Sequence, residues 1–260
     1  MKKSLLSIAG FDPTCGAGVS LDIRVFEYLG FKSLGIITSL AIQNTREVKE
    51  ILSLPSNIIL SQYRTLKEDV KIDGVKVGMI GSEQNLTPVA EILKDLKGVP
   101  KVVDPVFKSS SGAWLLEEKA MPEFINKIIP LADIITPNLE EASLITKIKT
   151  ESLEDMEKAA QIIYQNWKTK SIIKGGHLPG NRAVDIIFDG DKFHFLENEK
   201  TKTKVHGTGC FFSSALLGYL SKNHSFFEAC ELAKKLTFKA IKNSKKIGKG
   251  QRIINVKCKA

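Results

Sequence analysis

Val205-His206-Gly207-Thr208-Gly209-Cys210, followed by the apolar run Phe211 to Leu220, is the stretch on which the reading of the fold turns. Two glycines bracket a hydroxyl residue; a cysteine and a helical segment follow. A loop that feeds a helix N-terminus presents unpaired backbone N–H groups and about half a positive charge. Such an end favours anions, phosphate above all. The glycines let a ligand approach the backbone with no Cβ in the way. The same letters also describe a plain turn before a packed helix, so the rest of the chain has to decide between the two.

Upstream, strands and helices alternate. Ser4 to Ala9 reads as a short buried strand, and Gly10-Phe11-Asp12-Pro13-Thr14-Cys15-Gly16-Ala17-Gly18 as a tailored loop before a helix over 19–29. That loop is neither a Walker A sequence nor a dinucleotide fingerprint. Strands are expected near 34–40, 74–81, 101–106, 132–135 and 171–173, with helices over 55–70, 83–96, 153–167 and 225–244 and another within 114–129. Ala183 to Phe188 and Lys192 to Leu196 flank Asp189-Gly190-Asp191, a hairpin signal. Phe107 to Gly112 reads as a polar, mobile loop. With no repeat, linker or break in composition, residues 1–260 read as a single α/β domain. Its central sheet is mostly parallel with helices on both faces, and it carries a small antiparallel hairpin.

Polar groups gather where the strands end, which is where open α/β sheets place ligands. Gln43 offers an amide donor and acceptor suited to a heterocycle edge. Asp104, before Pro105, suits a metal–phosphate site. Asn138 and Glu141 sit three apart at a helix start. They read either as a Mg²⁺-organising pair or as an N-cap with its partner at the third helical position. Lys174 supplies a cation beside Gly175-Gly176. Phosphoryl transfer asks for these parts: a cation, positive dipoles and an aligned nucleophile.

The totals narrow the class. The 260 residues carry a net charge of +9, but ten basic residues and no acidic ones lie between Lys234 and Lys259, leaving −1 for the remainder. That tail reads as a nucleic-acid surface or as the solvated face of a helix. No aromatic residue interleaves the lysines after Phe238, which favours the helix face. No apolar run is long enough to span a membrane, and the four cysteines are scattered without zinc spacing. The expectation is a cytoplasmic protein with reduced thiols, and no membrane or nucleic-acid partner.

Taken together and in order, several motifs resemble the hydroxymethylpyrimidine/phosphomethylpyrimidine kinases of the ribokinase-like superfamily. They are Ser7-Ile8-Ala9-Gly10-Phe11-Asp12-Pro13 with Gly16-Ala17-Gly18 and Asp22; Gln43-Asn44-Thr45; Val77-Gly78-Met79; Val103-Asp104-Pro105-Val106; Ile135-Thr136-Pro137-Asn138 with Glu141; Lys174-Gly175-Gly176-His177; and His206-Gly207-Thr208-Gly209-Cys210. The resemblance covers nearly the whole chain. It implies a ribokinase-like fold and ATP-dependent phosphorylation of 4-amino-5-hydroxymethyl-2-methylpyrimidine, first to the monophosphate and then to the diphosphate, in thiamine diphosphate biosynthesis. It also implies that Gly10, Asp22, Gln43, Met79 and Val106 bind the pyrimidine. Asp104 and Glu141 would organise Mg²⁺, and Asn138, Lys174 and Thr208 would contact ATP. Gly207, Thr208, Gly209 and Cys210 would form the anion hole, with Cys210 where sugar kinases of the superfamily carry an aspartate base. Relatives are often homodimers.

A thiol at a helix N-terminus is expected to have a lowered pKa, which would suit Cys210 to take a proton from the substrate hydroxyl. Phe11 and Cys15 depart from the family pattern, which has a small residue and a glycine there. Gln251 stands where the family often has proline. The alternatives are a pyridoxal/pyridoxine kinase and, in a different class, a catalytically silent pyrimidine sensor.

Overall fold

A computed structural model describes residues 2–109, 112–201 and 203–256. The first strand, β1 (Ser4–Phe11), is buried along nearly its whole length. Leu5 packs with one apolar cluster, and Leu6 and Ile8 with another. Alternate side chains of a strand point to opposite faces, so β1 must be covered on both sides. Helix α1 (Gly18–Tyr28) leads to β2 (Lys32–Gln43), which turns back as β3 (Val48–Ser53). Then follow α2 (Ser56–Asp69), β4 (Gly74–Val77), α3 (Leu86–Asp95), β5 (Lys101–Val103), α4 (Met121–Lys127) and β6 (Ile134–Ile135). Next come α5 (Leu139–Thr146), α6 (Leu153–Trp167), β7 (Lys170–Ile173), β8 (Arg182–Phe188) and β9 (Phe193–Glu199). The chain closes with β10 (Val205–His206), α7 (Thr208–Ser221), α8 (Phe226–Lys242) and β11 (Arg252–Ile253).

Nine strands form one sheet in the order β3-β2-β1-β4-β5-β6-β7-β8-β9. Strands β2, β1, β4, β5, β6 and β7 run parallel, whereas β3, β8 and β9 join antiparallel. Helices α1, α7 and α8 cover one face, and α2, α3 and α4 the other. The strand order reverses at β1, with β2 on one side and β4 on the other. That switch point opens a crevice at the carboxyl ends of the strands.

The β8–β9 hairpin expected from the sequence is present and forms one end of the main sheet. Two features differ from the sequence reading. Strand β3 was not expected, because Val-Lys-Glu-Ile-Leu-Ser is short and mostly solvent-facing. Strands β10 and β11 form a separate two-stranded parallel pair too short to carry a periodic signal. In the basic C-terminal region, Lys234 is buried rather than solvated. Its ammonium meets the Asp185 carboxylate at 2.8 Å and donates to the carbonyls of Ala183 and Leu196, fixing α8 to β8 and β9. Part of the Phe107–Gly112 loop lies outside the described residues.

Beneath the crevice is a fully buried ion pair. Lys76 Nζ on β4 donates to both oxygens of Asp22 on α1, at 3.0 and 2.8 Å. Ser7 Oγ on β1 donates to Asp22 at 2.6 Å, and Ser214 Oγ on α7 at 2.7 Å. Burial opposes the Lys76 charge, but the Asp22 carboxylate outweighs it and the lysine pKa lies above its ordinary value. Removing one member of such a pair strands the other charge, at a cost of about 3–5 kcal/mol. Lys76→Met is therefore expected to lower unfolding stability by about that much in urea. Lys76→Met combined with Asp22→Asn should recover most of the loss, because the amide keeps acceptor capacity for the serines without a charge. Equal stability of Lys76→Met and the wild type would show that the pair does not hold these elements.

Candidate active site

Helix α7 starts at the crevice without a side-chain cap. Its N-cap, Gly207, has φ +88°, and a Cβ there would fall 1.7 Å from the Gly16 carbonyl. Only glycine fits such a contact, and it locks the 10–18 loop against the helix end. The first intrahelical bond is donated by Phe211 N to Gly207 O. The amides of Thr208 and Gly209 have no acceptor among the described residues, and Gly207 to Cys210 are all partly exposed. Two backbone donors at the start of a 14-residue helix thus have the geometry that suits an anion.

Beside it stand charges from two strand ends. Lys174, after β7, lies with its Nζ 3.2 Å from where a Gly209 Cβ would sit. It donates to Asp104 Oδ1 at 3.0 Å. Asp104, after β5, also accepts from Thr136 Oγ1 at 2.9 Å and from Ser213 Oγ at 3.4 Å. Burial works against the Asp104 charge, but Lys174, Lys76 and these donors hold its pKa below the usual carboxylate range. Burial likewise opposes the Lys174 charge, yet Asp104 and Glu141 raise its pKa. Lys174 and Asp104 thus form a compact ion pair beside the start of α7.

Asn138 and Glu141 form the capping box. Asn138 N donates to Glu141 Oε2 at 2.7 Å, and Glu141 N to Asn138 Oδ1 at 2.9 Å. The second Glu141 oxygen takes no hydrogen bond from the described residues. Burial, with Asp104 nearby, pushes its pKa up to about 8. A buried carboxylate with an unused oxygen, next to a second carboxylate, is a donor set that fits a divalent cation and its waters. The capping and metal readings are thus compatible in one side chain.

The residues expected to bind the pyrimidine fall into two groups. Gly10 and Met79 are adjacent across β1 and β4, with Gly10 N donating to Met79 O at 3.1 Å. Val106 is half-buried two residues beyond Asp104, and its amide donates to the Asp104 carbonyl at 2.9 Å. Gln43 ends β2, half-buried, with a side-chain amide that bonds to no described residue. Asp22 does not join them. Its carboxylate is fully buried and engaged by Lys76, Ser7 and Ser214, so it has no surface to offer a ligand. The resemblance places Asp22 at the substrate site; in the structure its carboxylate lies beneath the crevice, held by these three partners.

Cys210 brings a correction. Burial, with the nearby Asp104 and Asp22 carboxylates, pushes the thiol up to about 11, against the opposing pull of Lys76 and a hydrogen bond from the Gly18 amide. The helix-end argument predicted a lowered value; desolvation outweighs it.

Several contributing residues were not singled out in the sequence. Lys76, Ser7 and Ser214 surround Asp22; Thr136 and Ser213 orient Asp104. Asp12 accepts from the Thr14 and Ala17 amides at 2.8 and 3.0 Å and meets His206 Nε2 at 2.9 Å, stapling the glycine loop to β10. His206 directly precedes Gly207, which was a signal available in the sequence. Cys15 has φ +54°, a region that favours glycine, which suits the glycine that the resemblance implies at this position.

The model of the phosphomethylpyrimidine kinase family matches residues 12–255. The chain belongs to that family. It is 41% identical to the hydroxymethylpyrimidine/phosphomethylpyrimidine kinase of Aquifex aeolicus, over 96% of this chain and 98% of the relative. It is 34% identical to the thiamine biosynthesis bifunctional protein ThiED of Geobacter sulfurreducens, covering 97% of this chain and 52% of that protein. Among solved structures, the pyridoxal kinase of Staphylococcus aureus in complex with AMP-PCP superimposes with a TM-score of 0.90 at 30% identity, covering 98% of this chain and 94% of that one. The fold is thus the ribokinase-like one that the sequence motifs imply.

Because the thiolate and not the thiol is alkylated, the elevated Cys210 pKa has a direct consequence. Iodoacetamide modification of Cys210, followed by peptide mass spectrometry, is expected to be slow at pH 7 and still rising past pH 9.5. A plateau below pH 8 would mean that the helix end, not burial, controls the thiol.

Proposed function

We infer that this chain transfers the γ-phosphoryl group of ATP to the hydroxymethyl group of 4-amino-5-hydroxymethyl-2-methylpyrimidine, and then to the monophosphate so formed. It thereby supplies the pyrimidine diphosphate for thiamine biosynthesis. The observation that carries the reading is the meeting of the uncapped α7 terminus with the Lys174–Asp104 pair at the ends of parallel strands. The family match and the pyrimidine-kinase relative favour a pyrimidine over a pyridine as acceptor.

In this reading the amides of Thr208, Gly209 and Cys210 hold the migrating phosphoryl group, whose charge grows on oxygens facing them. Lys174 releases part of its hold on Asp104 and neutralises phosphate oxygens, with Asn138 beside it on the nucleotide side. Gln43 reads the edge of the heterocycle, and Gly10, Met79 and Val106 form the walls of its slot. Asp104 and Glu141 would hold Mg²⁺ through its waters, and the ion would supply screening of the phosphate charge. Cys210 is the proposed proton acceptor for the substrate hydroxyl. A homodimer and a cytoplasmic location complete the proposal; the free thiols of Cys15, Cys210 and Cys230 suit a reducing compartment.

The resting thiol must ionise before it accepts a proton, and its thiolate fraction grows about tenfold per pH unit below its pKa. With Cys210 as base, kcat/KM should climb from pH 7 to 9. Cys210→Asp, already ionised there, should flatten the profile. Near-full kcat in Cys210→Ala would leave only its backbone amide in the mechanism. Lys174→Met should lower kcat by about 10²–10³-fold, the size of losing one preorganised donor to the transition state.

ATP turnover with the pyrimidine, following mono- and diphosphate separately, checks the function itself. Both products should appear, and kcat/KM for pyridoxal should be at least about tenfold lower, a difference of roughly 1.4 kcal/mol in transition-state binding. Preference for pyridoxal with no diphosphate would favour the pyridoxal kinase reading.

A further inference from the structure

An open cavity of about 610 Å³ lies between the β2–β3 turn and the β10–β11 pair. Its walls carry Arg46, Lys204, Lys246 and Arg252, and no Asp or Glu lines it among the described residues. None of these four cations takes part in an ion pair with a described residue. It shares no residue with the α7 anion hole or with the Lys174–Asp104 pair.

The cavity is built, not incidental. Its floor is the 248–251 segment fastened to the turn: Gly250 N donates to Thr45 Oγ1 at 3.1 Å, and Gln251 N to Thr45 O at 2.8 Å. A Cβ on Gly250 would fall 1.9 Å from the Thr45 carbonyl, so the contact requires glycine. Arg252 is aimed by its own backbone neighbourhood: Nε donates to Ser244 Oγ at 3.0 Å, and a second guanidinium nitrogen donates to the Ser244 carbonyl. The rest of the guanidinium fork stays available, and such forks match phosphate oxygens geometrically.

Four cations without counter-charges in one concave site repel each other unless an anion joins them. A single phosphate carries too little charge to neutralise them; a diphosphate or triphosphate carries enough. The volume falls in the usual range for small-molecule sites, about 300–1,000 Å³. An RNA surface would be expected to add aromatic stacking platforms, and no aromatic residue lines this cavity among the described residues. We propose that the cavity is a second anion-binding site, for a small molecule bearing two or more linked phosphoryl groups.

The test is calorimetric titration with inorganic pyrophosphate in Mg²⁺-free, low-salt buffer, on the full chain. A Lys174→Met background weakens the catalytic anion hole and isolates the second site. In that background one equivalent of pyrophosphate should bind. Adding Lys204→Glu and Lys246→Glu, both exposed and unpaired among the described residues, should weaken binding at least about tenfold, since each replaces an attraction to the anion by a repulsion. The corresponding Lys→Met pair should fall between, and unchanged melting curves would exclude unfolding as the cause. Absence of binding in the Lys174→Met background, or binding indifferent to the charge reversals, overturns the proposal. So does a 12-nucleotide RNA that binds more tightly than pyrophosphate with a steep salt slope, because the surface would then be a nucleic-acid face.

Discussion

The buried pair between Lys76 and Asp22 is the interaction on which the rest of the site is mounted. Ser7 and Lys76 are register partners on neighbouring strands β1 and β4, on either side of the point where the strand order reverses. Asp22 comes from α1 and Ser214 from α7, so one carboxylate gathers four elements. Desolvating two charges is costly, and their attraction offsets that cost only with full hydrogen bonding. Here both Asp22 oxygens are engaged. A hydrophobic replacement could fill the space but could not direct α7 to present its first turn at the crevice.

That presentation is where stability yields to function. A helix of this length gains about 0.5–2 kcal/mol from a good N-cap, and α5, α6 and α8 each have one with a capping box. Helices α1 to α4 and α7 start without one, and of these α7 begins at Gly207 beside the Lys174–Asp104 pair. The unused donors face Lys174 and Asp104, whose charges offset each other at rest. At α5, Glu141 both caps its helix and keeps one oxygen uncommitted, so structural and chemical roles share a side chain. Cys210 lies between these demands: the packing that seats it above Lys76 and Asp22 also keeps it a neutral thiol.

Much of this was legible in the chain. Asp104, Asn138 and Lys174 follow strands at Pro or Gly exits, and the structure brings them to the same end of the sheet as the Gly-Thr-Gly-Cys turn. Such positions are readable because strand polarity fixes where their ends emerge. Lys76 was not readable, since a lysine between Val75 and Val77 looks like the solvent side of an alternating strand. Its burial depends on Asp22, fifty-four residues earlier. The burial of Asp22 was hidden for the same reason: a motif tells which residues recur together, not which of them reach the surface. The Cys210 pKa escaped because local sequence shows the helix end but not the carboxylates and packing around it. The β3 edge and the β10–β11 pair depend on contacts across the chain rather than on periodicity.

The central claim is that the backbone at the start of α7, not a side chain, cradles the transferred phosphoryl group. Backbone amide NMR of Thr208, Gly209 and Cys210, on adding ADP, Mg²⁺ and aluminium fluoride with the pyrimidine, tests it directly. The account predicts that all three resonances move downfield together as hydrogen bonds form to the phosphoryl mimic. If they stay in place while nucleotide binding shifts resonances elsewhere, the helix end is only a packing element and the account fails.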